Sequence, residues 1–217
     1  HDSVLQLLQS LVESATRAHN TSHRPGVQQS LSGLRFVKPG TKHTTTKSRP
    51  SSALLLAGAT DWKCLVDLGR KKLVFPPEVY ATAQRPDLVL WSKKLHKVIL
   101  VELTVPAEEG IEAAQLRKEA RYLPLCDAIN ADKVNPWKAS LFTVEAGARG
   151  FVAHTMRSFL RKLGLPGAKV SSACKDISLI AMRCSYCIYL SRNTEAWDRS
   201  RDLLFVQPAS ATSTESS

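Results

Sequence analysis

The alternation of apolar and polar residues along the chain predicts a mixed series of helices and strands. Apolar residues recur at helical spacing over residues 3–18, 151–163 and 170–190. Short apolar runs bounded by turn-forming residues predict strands over residues 34–37, 62–68, 72–75 and 140–145. A further helix is predicted over residues 105–123, because Pro106 suits a first helical turn and the acids Glu108 and Glu109 suit its amino end.

Two apolar runs near the middle of the chain each carry one carboxylate. They are Arg85-Pro86-Asp87-Leu88-Val89-Leu90-Trp91 and Val98-Ile99-Leu100-Val101-Glu102-Leu103-Thr104-Val105. A tight hairpin centred on Lys94-Leu95 would place Asp87 opposite Glu102, on one face of the two strands. Opposed like charges destabilise a strand pair, and a divalent cation would remove that penalty. The alternative is a pair of half-exposed acids on edge strands, each paired with a lysine or an arginine.

The order of these elements is typical of an α/β fold with a mixed central sheet flanked by helices. The helix over residues 105–123 connects the Glu102 strand to the strand over residues 140–145, as in a β-α-β crossover. One face of this helix carries Ile111, Ala114, Gln115, Lys118 and Tyr122. Lys118 thus lies among residues that should face the sheet. Its side chain either extends to the surface or points at the carboxylates or at a bound phosphate.

The charge balance favours a polyanionic partner. The chain has 217 residues, with 30 Lys and Arg against 19 Asp and Glu, which gives a net charge of +11. Such a balance favours nucleic acid before a membrane, and no apolar run is long enough to cross a bilayer. The candidate phosphate-binding cations on the predicted helices are Arg117, Arg121, Arg157, Arg161 and Lys162.

The five cysteines are odd in number and irregularly spaced, which predicts an intracellular, reducing compartment. Cys184 and Cys187 form a lone CxxC, interpreted as buried thiols on a helix or, with His154 and Cys174, as a zinc site. Because the chain begins at His1 rather than at Met, we expect it to be a piece of a longer protein.

The two acids and the order of the elements resemble the PD-(D/E)xK, or restriction-like, nuclease superfamily. Its core is a helix, a three-strand meander, a crossover helix and a further strand. Pro86-Asp87 matches the PD acid, and Glu102-Leu103-Thr104 occupies the (D/E)xK position. A closer similarity, to the C-terminal endonuclease modules of animal non-LTR retrotransposon polyproteins, covers roughly residues 57–197. It rests on the stretches Asp61-Trp62-Lys63, Leu73-Val74-Phe75-Pro76-Pro77-Glu78, Arg85 to Ser92, Val101 to Pro106, Arg149-Gly150-Phe151-Val152 and Tyr189-Leu190-Ser191-Arg192-Asn193.

This resemblance implies a catalytic site that holds Mg²⁺ or Mn²⁺. Asp87 and Glu102 would be catalytic metal ligands, and the family pattern adds the Leu103 carbonyl and the first-helix acid Glu13. From the residues alone, Glu13 is either a solvated helix residue or a further acid beside the site. Thr104 stands where many members carry the catalytic lysine, so Lys118 is expected to replace it.

Tyr122, one helical turn after Lys118, is the remaining catalytic residue that the resemblance implies. The implied organisation is a first helix of the core over residues 1–20, a flexible basic segment with a candidate short strand over 21–56, a nuclease core with C-terminal helices over 57–206, and a disordered tail over 207–217. The basic stretch 38–52 has two alternative interpretations. It either contacts nucleic acid or is a solvated loop.

The implied function is nicking of target DNA in the nucleus, next to an upstream reverse transcriptase of the same polyprotein. DNA is the expected partner and RNA a second candidate. The departure at Thr104 and the positive charge leave open a nuclease-fold module that binds nucleic acid with weak or no catalysis. A domesticated host protein with a structural role is a third hypothesis.

Overall fold

A computed structural model describes residues 1–22, 54–69 and 73–192 of the chain. Within them, the elements are α1 (Asp2–Ser22), β1 (Lys63–Val66), β2 (Leu88–Ser92), β3 (Lys97–Thr104), α2 (Ile111–Ala131), β4 (Lys138–Glu145), α3 (His154–Lys162) and α4 (Gly167–Ser191). A short 3-10 turn, Glu108–Gly110, precedes α2. The predicted strand over residues 34–37, the basic segment 38–52 and the tail 207–217 lie outside the described residues.

The four strands form one mixed sheet in the order β1-β2-β3-β4. β1 and β3 each pair antiparallel with β2, whereas β3 and β4 run parallel. A parallel pair requires a crossover connection, and α2 supplies it. The chain is therefore a mixed α/β protein with helices against the sheet, as the order of the predicted elements indicated.

The hairpin between β2 and β3 has the register predicted from the sequence. Leu88 pairs with Val101 and Ser92 with Lys97. Residues 93–96 form the turn, and His96 takes a positive φ of 46°. Continuing this ladder by one residue sets Asp87 opposite Glu102. Both strands are interior strands of the sheet, so the alternative of two acids on edge strands is wrong in its placement.

Each face of the sheet packs against a separate set of helices. On one face, α2 covers Val89, Trp91 and Leu100 with the buried residues Tyr122, Leu125, Cys126 and Ile129. On the other face, α1, α3 and α4 cover Leu90, Ile99 and Leu103 with the buried residues Val4, Leu5, Leu8, Val12, Met156, Phe159, Leu160, Val170 and Ile177. Because side chains alternate along a strand, Asp87 and Glu102 lie on the α2 side.

Several local predictions differ from the structure. Helix α2 begins at Ile111, after the 3-10 turn, and not at residue 105 as predicted. Leu73, Val74 and Phe75 are not in a strand, because the Leu73 amide donates to the Asp67 carboxylate instead of to a neighbouring strand. Helix α2 also continues past its predicted end at residue 123, through Pro124 to Ala131. The buried residues of this last part, such as Leu125 and Ile129, compensate for the backbone hydrogen bond that a proline removes.

The remaining elements agree with their sequence patterns. Helix α3 ends at Lys162, and Gly164 two residues later has a φ of 100°, the left-handed conformation that glycine adopts most easily. All five cysteines are free, and Cys184 and Cys187 lie on α4 only partly buried, so their interpretation as buried thiols is wrong. None of the helices in the described part of the chain combines the length and apolarity needed to span a membrane.

Candidate active site

The ends of β2 and β3 bring Asp87 and Glu102 together through their own backbones. The amide of Asp87 donates to Glu102 Oε1 at 3.0 Å. In the opposite direction, the amide of Leu103 donates to Asp87 Oδ2 at 2.8 Å. Each carboxylate is thus held by an N–H group of the neighbouring strand, so the hairpin register fixes the distance between the two acids.

Helix α2 adds a cation to this pair. Lys118 Nζ lies 2.5 Å from Glu102 Oε2 and 3.5 Å from Asp87 Oδ2. The side chains of Glu102, Asp87 and Lys118 are 0%, 14% and 25% exposed, respectively. Lys118 therefore turns inward to the carboxylates rather than to solvent. Of the two alternatives that the sequence left open, an extension to the surface or a turn toward the carboxylates, the structure has the second.

The two carboxyl groups differ in acidity although they are neighbours. Burial and the charge of Asp87 raise the pKa of Glu102 to about 7, against the hydrogen bond and charge of Lys118. Burial also opposes ionisation of Asp87, but His1, Lys118 and the Leu103 amide outweigh it and lower its pKa. Environments that push the pKa values of two adjacent groups apart are characteristic of functional sites.

His1 is a site residue that the sequence analysis missed. Its Nε2 lies 3.2 Å from the Leu103 carbonyl oxygen and 3.4 Å from Asp87 Oδ2. The Asp87 hydrogen bond is the main cause that raises the pKa of His1 to about 9. A signal for it was available, since His1 precedes the buried residues Val4 and Leu5 by three and four positions. At helical spacing these positions share one face.

A series of hydrogen bonds holds the backbone just before Asp87. Tyr122 donates its hydroxyl to the Arg85 carbonyl at 2.8 Å. Arg85 Nη2 in turn lies 2.6 and 2.8 Å from the two carboxylate oxygens of Asp67. Burial and the charge of Glu102 raise the pKa of Tyr122, which keeps its phenol protonated. Tyr122 thus positions the residues before Asp87, and its hydroxyl hydrogen-bonds this backbone rather than Lys118.

Glu13 does not join the site, contrary to the implication of the resemblance. It is exposed and accepts a hydrogen bond from Gln9 on its own helix. Twelve residues separate it from His1, which is about 18 Å along a helix. It lines a cavity of about 590 Å³ instead, together with Thr16, Arg17, Asn20, Thr21, Thr60 and Cys64.

The predicted phosphate-binding cations fall into two groups. Arg117 and Arg121 are exposed on α2, and Arg121 lies 5.3 Å from the Tyr122 ring. Arg157, Arg161 and Lys162 belong to α3, which packs on the opposite face of the sheet. The α2 arginines flank Lys118 in sequence, whereas Lys162 lies 5.2 Å from the Phe142 ring.

Thr104, which stands where the resemblance implies a lysine, is buried beside another buried acid. In the parallel register it pairs with Glu145, which is 1% exposed and accepts a hydrogen bond from Thr155. Among the described residues, neither the Thr104 hydroxyl nor Glu145 Oε1 has a hydrogen-bond partner.

A scan against protein-family models finds no match to this chain, and searches of curated proteins and of solved structures find none either. The assignment of a function therefore depends on the geometry of Asp87, Glu102 and Lys118.

Proposed function

We propose that the chain is a divalent-metal-dependent DNA endonuclease with a restriction-endonuclease-like core of the PD-(D/E)xK type. The observation that carries the proposal is the convergence of Asp87, Glu102 and Lys118, in which the lysine nitrogen lies within 3.5 Å of both carboxylates. The three residues come from two strands and a crossover helix. This convergence supports an assembled catalytic constellation, because separate elements supply each part of it.

The carboxylates suit a hard cation such as Mg²⁺ or Mn²⁺. Burial beside Asp87 raises the pKa of Glu102, and a divalent cation would relieve this repulsion. No three His, Cys, Asp or Glu side chains form a ready-made metal site within the described residues. Asp87 and Glu102 would therefore need a further oxygen, and the Leu103 carbonyl at this strand end supplies it. A bound ion would polarise the scissile phosphate and lower the pKa of an attacking water.

Lys118 would act on the charge that develops at the phosphate. Its ammonium group is held in the site by two carboxylates and does not need to be drawn from solvent when substrate arrives. Preorganised donors of this kind stabilise the transition state, because their orientation is set before the reaction. Lys118 would thus do from α2 what a lysine in place of Thr104 does in other members of the superfamily.

The substrate class follows from charge. The excess of Lys and Arg favours a polyanion, and contacts to phosphates position a duplex without reading its sequence. Arg117 and Arg121 lie beside Lys118 on α2 and are the nearest candidates in sequence for such contacts. In a retrotransposon polyprotein, the module would nick target DNA in the nucleus and give an adjacent reverse transcriptase its primer, with RNA as a second candidate ligand.

Nicking of supercoiled plasmid in the presence of Mg²⁺ or Mn²⁺ tests the proposal. We expect Asp87→Asn, Glu102→Gln and Lys118→Met each to lower the rate by on the order of 100-fold or more. Asp127→Asn and Lys175→Met are matched controls, because both residues are exposed on helices away from the carboxylates. Undiminished nicking by the Asp87 and Glu102 variants would contradict the proposal.

One observation favours a second candidate function. Lys118 already neutralises Glu102 at 2.5 Å, so the acid pair does not require a metal to be stable in the fold. A nuclease-fold module that binds nucleic acid without cutting it would have this property. Salt-dependent DNA binding, with no Mg²⁺-dependent nicking by the wild-type chain, would select this function over the first.

A further inference from the structure

The imidazole of His1 bridges two acidic groups at the end of the sheet. Its Nε2 faces the Leu103 carbonyl at 3.2 Å and Asp87 Oδ2 at 3.4 Å. Its Nδ1 faces Asp2 Oδ1 at 3.2 Å. The first two oxygens belong to the metal ligand set of the proposed nuclease, so His1 lies at the site rather than beside it.

The spacing of these atoms resembles that of neighbouring ligands around one ion. Ligands at 2.0–2.1 Å in an octahedral site lie about 3 Å from each adjacent ligand atom. The two contacts of His1 Nε2 are only a few tenths of an ångström longer. A cation could therefore accept the ring nitrogen, the carbonyl and the carboxylate together after a small contraction of the site.

Asp2 gives the imidazole the partner that metal-bound histidines usually have. A ligating histidine commonly donates its other ring N–H to a carboxylate, which fixes the tautomer and the ring plane. With the Nδ1–H donated to Asp2, a cation that displaces the Nε2 proton would meet the Nε2 lone pair beside the Leu103 and Asp87 oxygens. The pair Asp2–His1 is thus arranged as a ligand and its support.

The packing of α1 makes this placement specific. Val4, Leu5 and Leu8 are almost fully buried against the sheet, which turns the first residue of this face toward the strand ends. The first turn of the helix reaches the site. Glu13 does not, because it lies about 18 Å further along the helix axis. The first helix therefore contributes an imidazole where the resemblance implied a carboxylate.

We propose that His1 Nε2 is a ligand of the divalent cation, together with Asp87 and the Leu103 carbonyl, and that Asp2 positions the ring. This inference rests on the proposed metal site. An imidazole ligand favours first-row transition ions over Mg²⁺, which prefers oxygen. The site therefore takes Mn²⁺ in preference to Mg²⁺, with Co²⁺ or Ni²⁺ as further ions of the same class.

Pulsed electron paramagnetic resonance of Mn²⁺ bound to the full chain tests the ligand directly, because a coordinated imidazole nitrogen modulates the electron spin echo. We expect this ¹⁴N modulation in the wild type and its loss in His1→Ala. Mn²⁺ affinity should fall in His1→Ala and, by about 10-fold, in Asp2→Asn. Glu13→Gln is the control for a change elsewhere on α1, and His154→Gln is the control for the loss of an exposed histidine. Both variants should keep the ¹⁴N modulation and the Mn²⁺ affinity of the wild type.

Two results would overturn the inference alone. The first is a wild-type Mn²⁺ complex without ¹⁴N modulation. The second is a His1→Ala variant that binds Mn²⁺ more tightly than the wild type, because this would mean that the imidazole competes with the ion for the carboxylate. Nicking that still depends on Asp87 would then leave the proposed nuclease intact. A wild-type chain that binds no Mn²⁺ at millimolar concentration would overturn the inference and the proposed function together.

Discussion

Glu102 lies in an environment that disfavours its charge. Its side chain is fully buried, and burial together with Asp87 raises the pKa to about 7. A carboxyl group whose pKa is raised on folding holds its proton more tightly in the folded than in the unfolded state. Stability therefore falls as the pH rises from the unfolded value, near 4.5, through about 7.

This gives a prediction for the metal-free protein. Between pH 5 and pH 7, the free energy of unfolding of the wild type should fall by about 1–2 kcal/mol more than that of Glu102→Gln, because glutamine does not titrate. Urea unfolding at the two pH values in the presence of a chelator measures the difference. His1, with its pKa raised to about 9, contributes stability that is lost mainly above this window.

An equal pH dependence in both proteins would show that Glu102 ionises normally in the folded state. Glu109→Gln is the control for the loss of one acid, since Glu109 is exposed. If the proposed metal site is correct, adding Mn²⁺ to the wild type should reduce its loss of stability toward pH 7, because the ion would bind the ionised carboxylates of the folded state.

The hairpin β2–β3 is the element on which the site depends. Asp61, in the segment before β1, accepts hydrogen bonds from the Ser92 hydroxyl at 2.6 Å and from the Lys94 amide at 3.0 Å. The Ser92 hydroxyl also accepts from the Leu95 amide at 3.3 Å. These bonds close the turn and fix the register, and the register in turn sets Asp87 against Glu102.

Asp61→Ala should therefore destabilise the protein by about 1–3 kcal/mol, because it leaves the buried Ser92 hydroxyl and the Lys94 amide without their acceptor. Chemical denaturation measures this effect. Lys93→Ala, in the same turn, is the control and should cost less, since its ion pair with Glu78 is largely exposed. Equal stability of Asp61→Ala and the wild type would mean that the turn holds its register without this carboxylate.

Helix α2 joins the site to the core of its face of the sheet. The same helix carries the buried residues Ala114 and Ile129, the inward Lys118 and the hydroxyl of Tyr122 that reaches Arg85. Packing of its apolar face therefore determines where the ammonium group lies. A helix this long was not expected, because Pro124 normally ends a helix, but the core contacts beyond it outweigh that local preference.

At the scale of the whole molecule, the cations on the described helices are divided between the two sides of the sheet. Arg117 and Arg121 accompany Lys118 on α2, whereas Arg157 and Lys162 belong to α3 on the other side. A duplex that delivers a phosphate to Lys118 would meet α2 first. The net charge of +11 alone does not distinguish these surfaces.

The double variant Arg117→Ser/Arg121→Ser should weaken DNA binding at all sequences and lower the salt dependence of the affinity by about one unit of slope for each lost contact. Fluorescence anisotropy with a short duplex over a range of salt concentrations measures both. Arg157→Ser/Lys162→Ser removes the same charge from the opposite face and should change the slope less. The reverse order would place the duplex on α3.

The sequence by itself determined the parts of this protein that depend on local pattern. Two apolar runs with a single polar break between them predicted the hairpin, and centring its turn on Lys94-Leu95 predicted the register that sets Asp87 against Glu102. Helical periodicity predicted that Lys118 lies on the helix face that packs on the sheet, and the order of elements predicted a crossover between parallel strands. Each of these follows from a spacing of a few residues that the chain states directly.

Only the tertiary structure decided which distant groups meet. His1 reaches Asp87 and Leu103 because α1 packs across the sheet, and Glu13 stays away because its position along the same helix leaves it about 18 Å from that end. The pKa of Glu102 likewise depends on the burial that β3 and α2 produce together. Such contacts arise from the packing of whole elements, and no local spacing in the chain specifies them.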